Sequence, residues 1–263
     1  MRAWSRFVWW QINSRIRGEV VVPWIFGLRL AVRRGMTGAT GNLYCGLHEF
    51  YDMMLVLHFL RADDLFLDIG SNIGSYTILA SGGCGASTWA FEPDPDAVAS
   101  LRRNVELNGL QHLVTVQDIA LGSSDRSVAF TVGQDTVNRV ANSSESNVRM
   151  VRQRPLDSVI ESRSPAMMKL DVEGYEEEVM AGADKTLEKP TLKIIIIETV
   201  TPGIRAQLNR NGFVEASYEP FSREVRRGPR TTGTANVLFV RDWEFVTLRL
   251  STARAVHVIG HTI

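Results

Sequence analysis

The sequence predicts an α/β protein built on a mostly parallel, Rossmann-like sheet, with an N-terminal extension and a β insertion. Three observations carry this expectation. From Asp64 onward, short apolar runs alternate with helical patterns, as strands joined by crossover helices require. The stretch Asp68-Ile69-Gly70-Ser71-Asn72-Ile73-Gly74-Ser75 sits between the apolar run Leu65–Leu67 and the helix start Tyr76–Ala80, giving strand, glycine loop, helix. Each core strand then ends in an acid: Asp68, Glu92, Asp118, Asp171 and Glu198. The carboxyl ends of such strands are where an open α/β sheet places its ligand.

The elements follow in chain order. Residues 1–18 carry Trp4, Val8, Ile12 and Ile16 at helical spacing, with Arg2, Arg6, Arg15 and Arg17 around them. A basic amphipathic helix of this kind packs on its own domain or lies on a membrane surface. Packing is the preferred reading, because helix amphipathicity is usually a core signal. Glu19–Leu30 is β-rich, and Pro23 marks it as an edge strand. Arg34–Asn42 holds three glycines and reads as a loop. A helix is expected over Glu49–Arg61, burying Met53, Met54, Val56, Leu57 and Leu60.

Strands are expected at Leu65–Ile69, Ser87–Phe91 and Leu113–Gln117. The helix between the last two opens at Asp94-Pro95, a cap followed by a first-turn proline, and ends at Gly109. Residues 122–155 break the rhythm. There Val128–Val132 and Asn147–Val151 read as strands of a β insertion that covers the substrate. Met167–Leu170 is the next core strand, followed by a helix running to Lys189, where Pro190 stops it. The run Leu192–Ile197 does not alternate and so is buried on both faces. A short helix at Gly203–Asn211 and closing strands at Phe213–Tyr218 and Val237–Val240 complete the sheet, and the last twenty residues look β-like.

Composition narrows the function. The formal net charge is zero, so no global field favours nucleic acid or an anionic membrane. Two cysteines, Cys45 and Cys84, make neither a disulfide framework nor a zinc site. No apolar run approaches the roughly 18 residues of a membrane span, and no signal peptide is evident. A reducing, cytoplasmic setting is the expectation.

The loop spacing selects the ligand. A dinucleotide fingerprint is G-x-G-x-x-G, whereas this loop is D-x-G-x-x-x-G, with an acid where a pyrophosphate would be repelled. Glu92 lies 24 residues beyond Asp68, at the end of the next strand, where a carboxylate accepts hydrogen bonds from both ribose hydroxyls. Asp118 takes an adenine amino group or is simply a turn acid.

At this point several motifs in order resemble one family. They are Asp68–Gly74 with Ser75-Tyr76-Thr77, then Phe91-Glu92-Pro93-Asp94-Pro95, Leu107-Asn108-Gly109, Ala120-Leu121-Gly122, Leu156-Asp157 and Lys169-Leu170-Asp171-Val172-Glu173-Gly174-Tyr175-Glu176. With Gly46-Leu47-His48-Glu49-Phe50 they resemble the FkbM S-adenosylmethionine-dependent methyltransferases over roughly residues 40–200. The resemblance implies a seven-stranded class I methyltransferase sheet in residues 48–241, flanked by an extension over 1–47 and a tail over 242–263. It also implies S-adenosylmethionine as cofactor and O-methylation of a small-molecule or sugar acceptor.

The cofactor-binding set expected on this basis is Glu49, Asp68, Gly70, Ser71, Asn72, Gly74, Ser75, Glu92 and Asp118. The cofactor's methyl is attacked by an acceptor oxygen, and a hydroxyl benefits from a general base. His48, Asp171 and Glu173 are the candidates. A second reading is a metal site at Asp171 and Glu173 that orients the substrate, for which two carboxylates two residues apart are weak evidence. A nicotinamide oxidoreductase and a non-catalytic binding protein on the same fold are the competing functions.

Overall fold

The computed structural model describes residues 3–133, 138–141, 147–230, 236–258 and 260–263. Arg2, the side chains of Trp4, Arg6, Val8 and Arg17, and much of the polar stretch inside the β insertion lie outside the described residues.

Helix α1 (Ala3–Arg17) leads into an antiparallel hairpin of β1 (Glu19–Pro23) and β2 (Arg29–Arg33). The single edge strand expected over Glu19–Leu30 is thus two strands. Phe26 and Gly27, both at positive φ, turn the chain between them. Arg34–Asn42 is not a loop throughout, because helix α2 (Thr37–Cys45) begins inside it. One of its glycines has a packing reason: a Cβ on Gly41 would stand 2.3 Å from the His48 ring. Helix α3 (Phe50–Phe59) is buried from Asp52 to Phe59.

The sheet then builds through β3 (Leu65–Ile69), α4 (Ser75–Ile78) with a π-type turn to Gly83, β4 (Ser87–Phe91), α5 (Pro95–Leu107) and β5 (Val114–Gln117). Asp94 caps α5 as expected, accepting the Asp96 N–H. The insertion is a separate three-stranded sheet of β6 (Ala120–Leu121), β7 (Arg126–Thr131) and β8 (Val148–Arg154), with β8 in the middle. After α6 (Leu156–Ile160) and β9 (Met167–Leu170), the expected single helix to Lys189 is two helices, α7 (Glu176–Ala181) and α8 (Asp184–Glu188). The break falls at Gly182, where a Cβ would lie 2.1 Å from the Gly122 carbonyl oxygen.

The rest comprises β10 (Ile194–Ile197), α9 (Pro202–Arg210), β11 (Val214–Glu219), β12 (Glu224–Arg227), β13 (Val237–Val240), α10 (Trp243–Ser251) and the small hairpin β14 (His257–Val258) with β15 (His261–Thr262). The last twenty residues, expected to be β-like throughout, thus begin in helix α10 and are β only in the small hairpin at their end. Asp242 caps α10 through the Phe245 N–H, and Val246 and Leu250 bury one turn apart.

The main sheet has eight strands in the order β12-β11-β13-β10-β9-β3-β4-β5. The run from β5 to β10 is parallel, while β13 lies antiparallel between β10 and β11. Seven of these strands form a class I methyltransferase sheet, and β12 adds an edge hairpin to it. Alternate residues of β10 feed opposite cores: Ile194 and Ile196 join Phe66, Met167 and Val240, while Ile195 and Ile197 join Leu67, Met168 and Phe239. Two-sided burial explains why the strand reads as an unbroken apolar run. Trp10, Val20, Val22, Leu30 and Val32 of the N-terminal segment belong to the first of these cores.

Candidate active site

The carboxyl ends of β3, β4 and β9 frame a cavity of about 290 Å³. Its centre is the glycine loop. The N–H groups of Gly70 and Ser71 both donate to the Phe91 carbonyl at 3.0 Å, tying the loop to β4. Gly70 sits at φ +79°, and a Cβ there would meet the Asp171 carbonyl oxygen at 1.7 Å, so the chain admits no side chain. Asn72 donates its N–H to Glu92 Oε2 at 2.8 Å, and Asp94 donates to Glu92 Oε1 at 2.9 Å. One buried carboxylate therefore joins the glycine loop to the start of α5. Burial pushes the Glu92 carboxyl up to about 7, against the pull of these two N–H groups.

Asp68 is also fully buried and accepts the Thr77 hydroxyl at 2.5 Å. Burial raises it to about 6, with Lys169 and Thr77 opposing. Lys169 lies at the floor of the cavity, 3% exposed, 2.5 Å from Asp171 Oδ2 and 4.6 Å above the Tyr76 ring centre. Burial alone would lower this lysine, but Asp171, Glu49 and Asp68 outweigh it and hold the ammonium above its ordinary range. Burial likewise works against ionising Asp171, yet Lys169 holds that carboxyl below its usual value.

Glu173, at φ +55°, turns the chain after β9. Burial and then Asp171 raise its carboxyl. Glu198 joins them, so that Asp171, Glu173 and Glu198 each bring an oxygen within 4.8 Å of the others. Burial, Asp171 and Glu173 push Glu198 to about 8. This third carboxylate goes beyond the pair considered from sequence.

On the other wall, buried Asn42 donates to Ser75 Oγ at 3.1 Å and accepts the His48 N–H at 2.8 Å. It thereby couples the glycine-loop helix to the segment carrying His48. Asn236 donates to Glu49 at 2.7 Å and to Asp52 at 2.9 Å, fixing Glu49 at the cavity wall. The insertion contributes Phe130, Asn138 and Val140 to the lining, and Asn138 donates to Asp94 at 2.6 Å.

Of the residues selected from sequence, His48, Glu49, Asp68, Gly70, Ser71, Asn72, Ser75, Glu92, Asp171 and Glu173 line this one cavity. Two do not. Gly74 sits at φ +90°, and a Cβ there would point to Leu101 Cδ1 at 2.3 Å, away from the cavity lined by its neighbours Ile73 and Ser75. The Asp118 side chain is 67% exposed and pairs with Arg102 at 3.6 Å. Its neighbours Ile119, Ala120 and Leu121 line the cavity instead. Sequence reasoning missed Lys169, Asn42 and Asn236. Only Lys169 carries a local signal, a charge inside an otherwise apolar strand.

The family described as the methyltransferase FkbM domain matches residues 68–215. The chain belongs to the FkbM methyltransferase family. It is 29% identical over 147 residues to the hexuronic acid methyltransferase AglP of Haloferax volcanii, covering 55% of this chain and 59% of that protein. It is 28% identical over 123 residues to a probable cobalt-precorrin-6B C(15)-methyltransferase (decarboxylating) of Sulfurisphaera tokodaii, covering 44% of this chain and 64% of that protein. The FkbM chain thus spans about three fifths of the length of these curated relatives. A solved FkbM methyltransferase from Methylobacillus flagellatus KT superposes with TM-score 0.46 at 16% identity, over 69% of this chain and 44% of that one. Among the described residues, no helix is long and apolar enough to cross a membrane.

Proposed function

We propose that the chain is an S-adenosylmethionine-dependent O-methyltransferase acting on a hydroxyl of a small-molecule or sugar acceptor. The observation that carries this is the charge of the cavity. Its wall holds six acids, Glu49, Asp68, Glu92, Asp94, Asp171 and Glu173, against the single buried lysine, itself paired to Asp171. Such a wall suits a cofactor bearing an ammonium, a sulfonium and ribose hydroxyls, and disfavours a pyrophosphate. Ile69, Phe91, Ile119, Leu121 and Phe130 supply the apolar surface that an adenine needs.

When bound, this cofactor supplies an electrophilic methyl group. The protein's own residues do the rest. Glu92 holds the ribose hydroxyls while bracing the loop, and Asp68 holds the cationic end. His48 accepts the acceptor's hydroxyl proton, and Asp171 and Glu173 orient the acceptor. Most of the rate then comes from positioning, with the base adding its share. A sugar acceptor is consistent with the activity named for AglP.

Titration calorimetry with S-adenosylhomocysteine and with NAD tests the cofactor; heat from NAD alone would overturn the reading. Transfer of a labelled methyl group to a panel of neutral sugars and hexuronic acids tests the acceptor. A base-stable product is an ether formed on a hydroxyl. A base-labile product is an ester formed on a carboxylate, and would replace the hydroxyl in this proposal.

A further inference from the structure

Helix α1 faces two ways. Trp10 and Ser14, each 3% exposed, pack inward. Ile12 and Ile16, read from sequence as part of a packed stripe, point outward at 53% and 76% exposed, and Trp9 joins them at 36%. Positions 9, 12 and 16 fall on one helical face. Along the helix itself the sequence supplies no acid: residues 1–18 contain four arginines and no Asp or Glu. Because the whole chain balances 29 basic against 29 acidic residues, the remainder has four more acids than bases. Exposed Arg15 bonds the neutral Gln11, through its backbone oxygen at 2.8 Å and its side chain at 3.0 Å, so its charge is not cancelled there.

Three occupants compete for such a face. A second copy docked through this face would bring Arg15 against its own equivalent in a segment whose sequence holds no acid, and like charges across an interface are unfavourable. A membrane span is too long, since fifteen helical residues reach only about 22 Å against a hydrocarbon core of about 30 Å. An anionic lipid surface matches every feature. Its headgroups complement the arginines, its acyl boundary takes isoleucines, and tryptophan favours that interface.

We propose that α1 docks the protein on an anionic bilayer, lying in the interface plane with Trp9, Ile12 and Ile16 inserted and Arg15 among the headgroups. Helix α1 packs on α2, and α2 supplies Asn42 to the cavity wall. The docked helix therefore holds the active site one helix away from the lipid surface. This inference does not rest on the proposed acceptor or cofactor.

The test is co-sedimentation of the full chain with phosphatidylcholine vesicles, with and without phosphatidylglycerol, at low and high salt. The chain should pellet with the anionic vesicles, and added salt should release it. The double variant Ile12→Asp/Ile16→Asp should lose binding by at least about tenfold, with its thermal midpoint and its S-adenosylhomocysteine heat unchanged. Arg15→Glu, in a side chain already in water, should weaken binding to anionic vesicles by more than the roughly fivefold expected for each arginine near such a surface. Three results would each overturn the proposal. One is no pelleting with anionic vesicles. Another is equal pelleting by the aspartate variant. The third is a concentration-dependent dimer, seen by light scattering, that the aspartate variant dissolves without any vesicle binding by the parent chain.

Discussion

Lys169 Nζ stands 2.5 Å from Asp171 Oδ2, across two residues of the same chain at the end of β9, with the Tyr76 ring beneath the ammonium. The pair is what allows Asp171 to stay ionised in a wall crowded with carboxylates. Breaking one partner of a buried pair leaves the other uncompensated. Lys169→Met should therefore cost about 3 kcal/mol in urea denaturation at neutral pH, at the low end for such pairs because Asp171 is partly open to water. Asp171 is held below its unfolded value, so its contribution is present above about pH 4 and fades below it. The gap between parent and variant should narrow correspondingly in acid. The double variant Lys169→Met/Asp171→Asn should recover part of the loss. A Lys169→Met protein as stable as the parent at pH 7 would show that the pair is not structural.

Glu92 at about 7 and Asp68 at about 6 give the cavity a proton signature. Both folded values lie above the unfolded ones, so their contribution to stability is complete in acid and is lost as pH rises through 6 and 7. A ligand bearing hydroxyl donors and an ammonium favours the ionised carboxylates and pulls both values down. Binding S-adenosylhomocysteine near pH 6.5 should then release on the order of one proton, falling to none above about pH 8.5. Calorimetry in phosphate and in Tris reads this directly from the difference in heats. Heats independent of buffer at pH 6.5 would remove both acids from the cofactor contact. Glu92→Gln should abolish most of the release and weaken binding by about 1.5–3 kcal/mol, the range for hydrogen bonds to charged groups.

How legible this was depends on whether a feature is local. Strands β3, β4, β9 and β13 lie on the runs read from sequence, because the central strands of a sheet covered on both faces are mostly apolar, even where β4 opens on Ser87 and Thr88 and β9 carries Lys169. The glycine loop and its acids were equally plain, since spacing and strand-end position carry them. What failed was set by distant partners. The helix to Lys189 breaks at Gly182 because Gly122, sixty residues earlier, comes against it. Asp118 looked like the other strand-end acids, but the next residues turn apolar into the cavity and leave it to Arg102. Asn42 reaches across the fold to Ser75 and Asn236 to Glu49 and Asp52, so nothing in their neighbours announced them. The outward stripe of α1 fitted the helical period but not the packing face, which periodicity alone does not choose.

Two glycines of the loop should behave differently when given a methyl group. At Gly70 the new Cβ meets backbone, the Asp171 carbonyl oxygen at 1.7 Å, which cannot move without dragging β9. Gly70→Ala should lose about 3–4 kcal/mol or fail to fold. At Gly74 the Cβ meets only a Leu101 methyl group, which can rotate away, so the remaining cost is the positive φ. Gly74→Ala should lose about 1–2 kcal/mol and, because Gly74 does not line the cavity, keep its affinity for S-adenosylhomocysteine. Thermal melts and calorimetry on both proteins decide. Normal stability with lost binding in Gly74→Ala would return that glycine to the ligand's path.

The chemistry itself turns on His48. Its ring lies against Gly41 and its N–H is held by Asn42, so its place at the cavity is fixed by packing and backbone on two sides. It lines the same cavity as Asp171 and Glu173 yet is itself exposed, open to an acceptor entering from solvent. Of the three candidate bases, Asp171 is committed to Lys169, and a carboxylate held below its usual value is a poor proton acceptor. Glu173 is raised and remains a competitor. If His48 takes the proton, His48→Ala should keep cofactor affinity and slow single-turnover methyl transfer by roughly 10²–10⁴-fold, the usual worth of a general base. Asn42→Ala should give a smaller loss of the same kind, because it removes only what positions that residue. The effect should appear in kcat with the acceptor's KM little changed, since a base acts in the transition state. Glu173→Gln then serves as the counter-experiment. A full rate in His48→Ala together with a collapse in Glu173→Gln would move the proton to Glu173 and leave His48 as part of the wall.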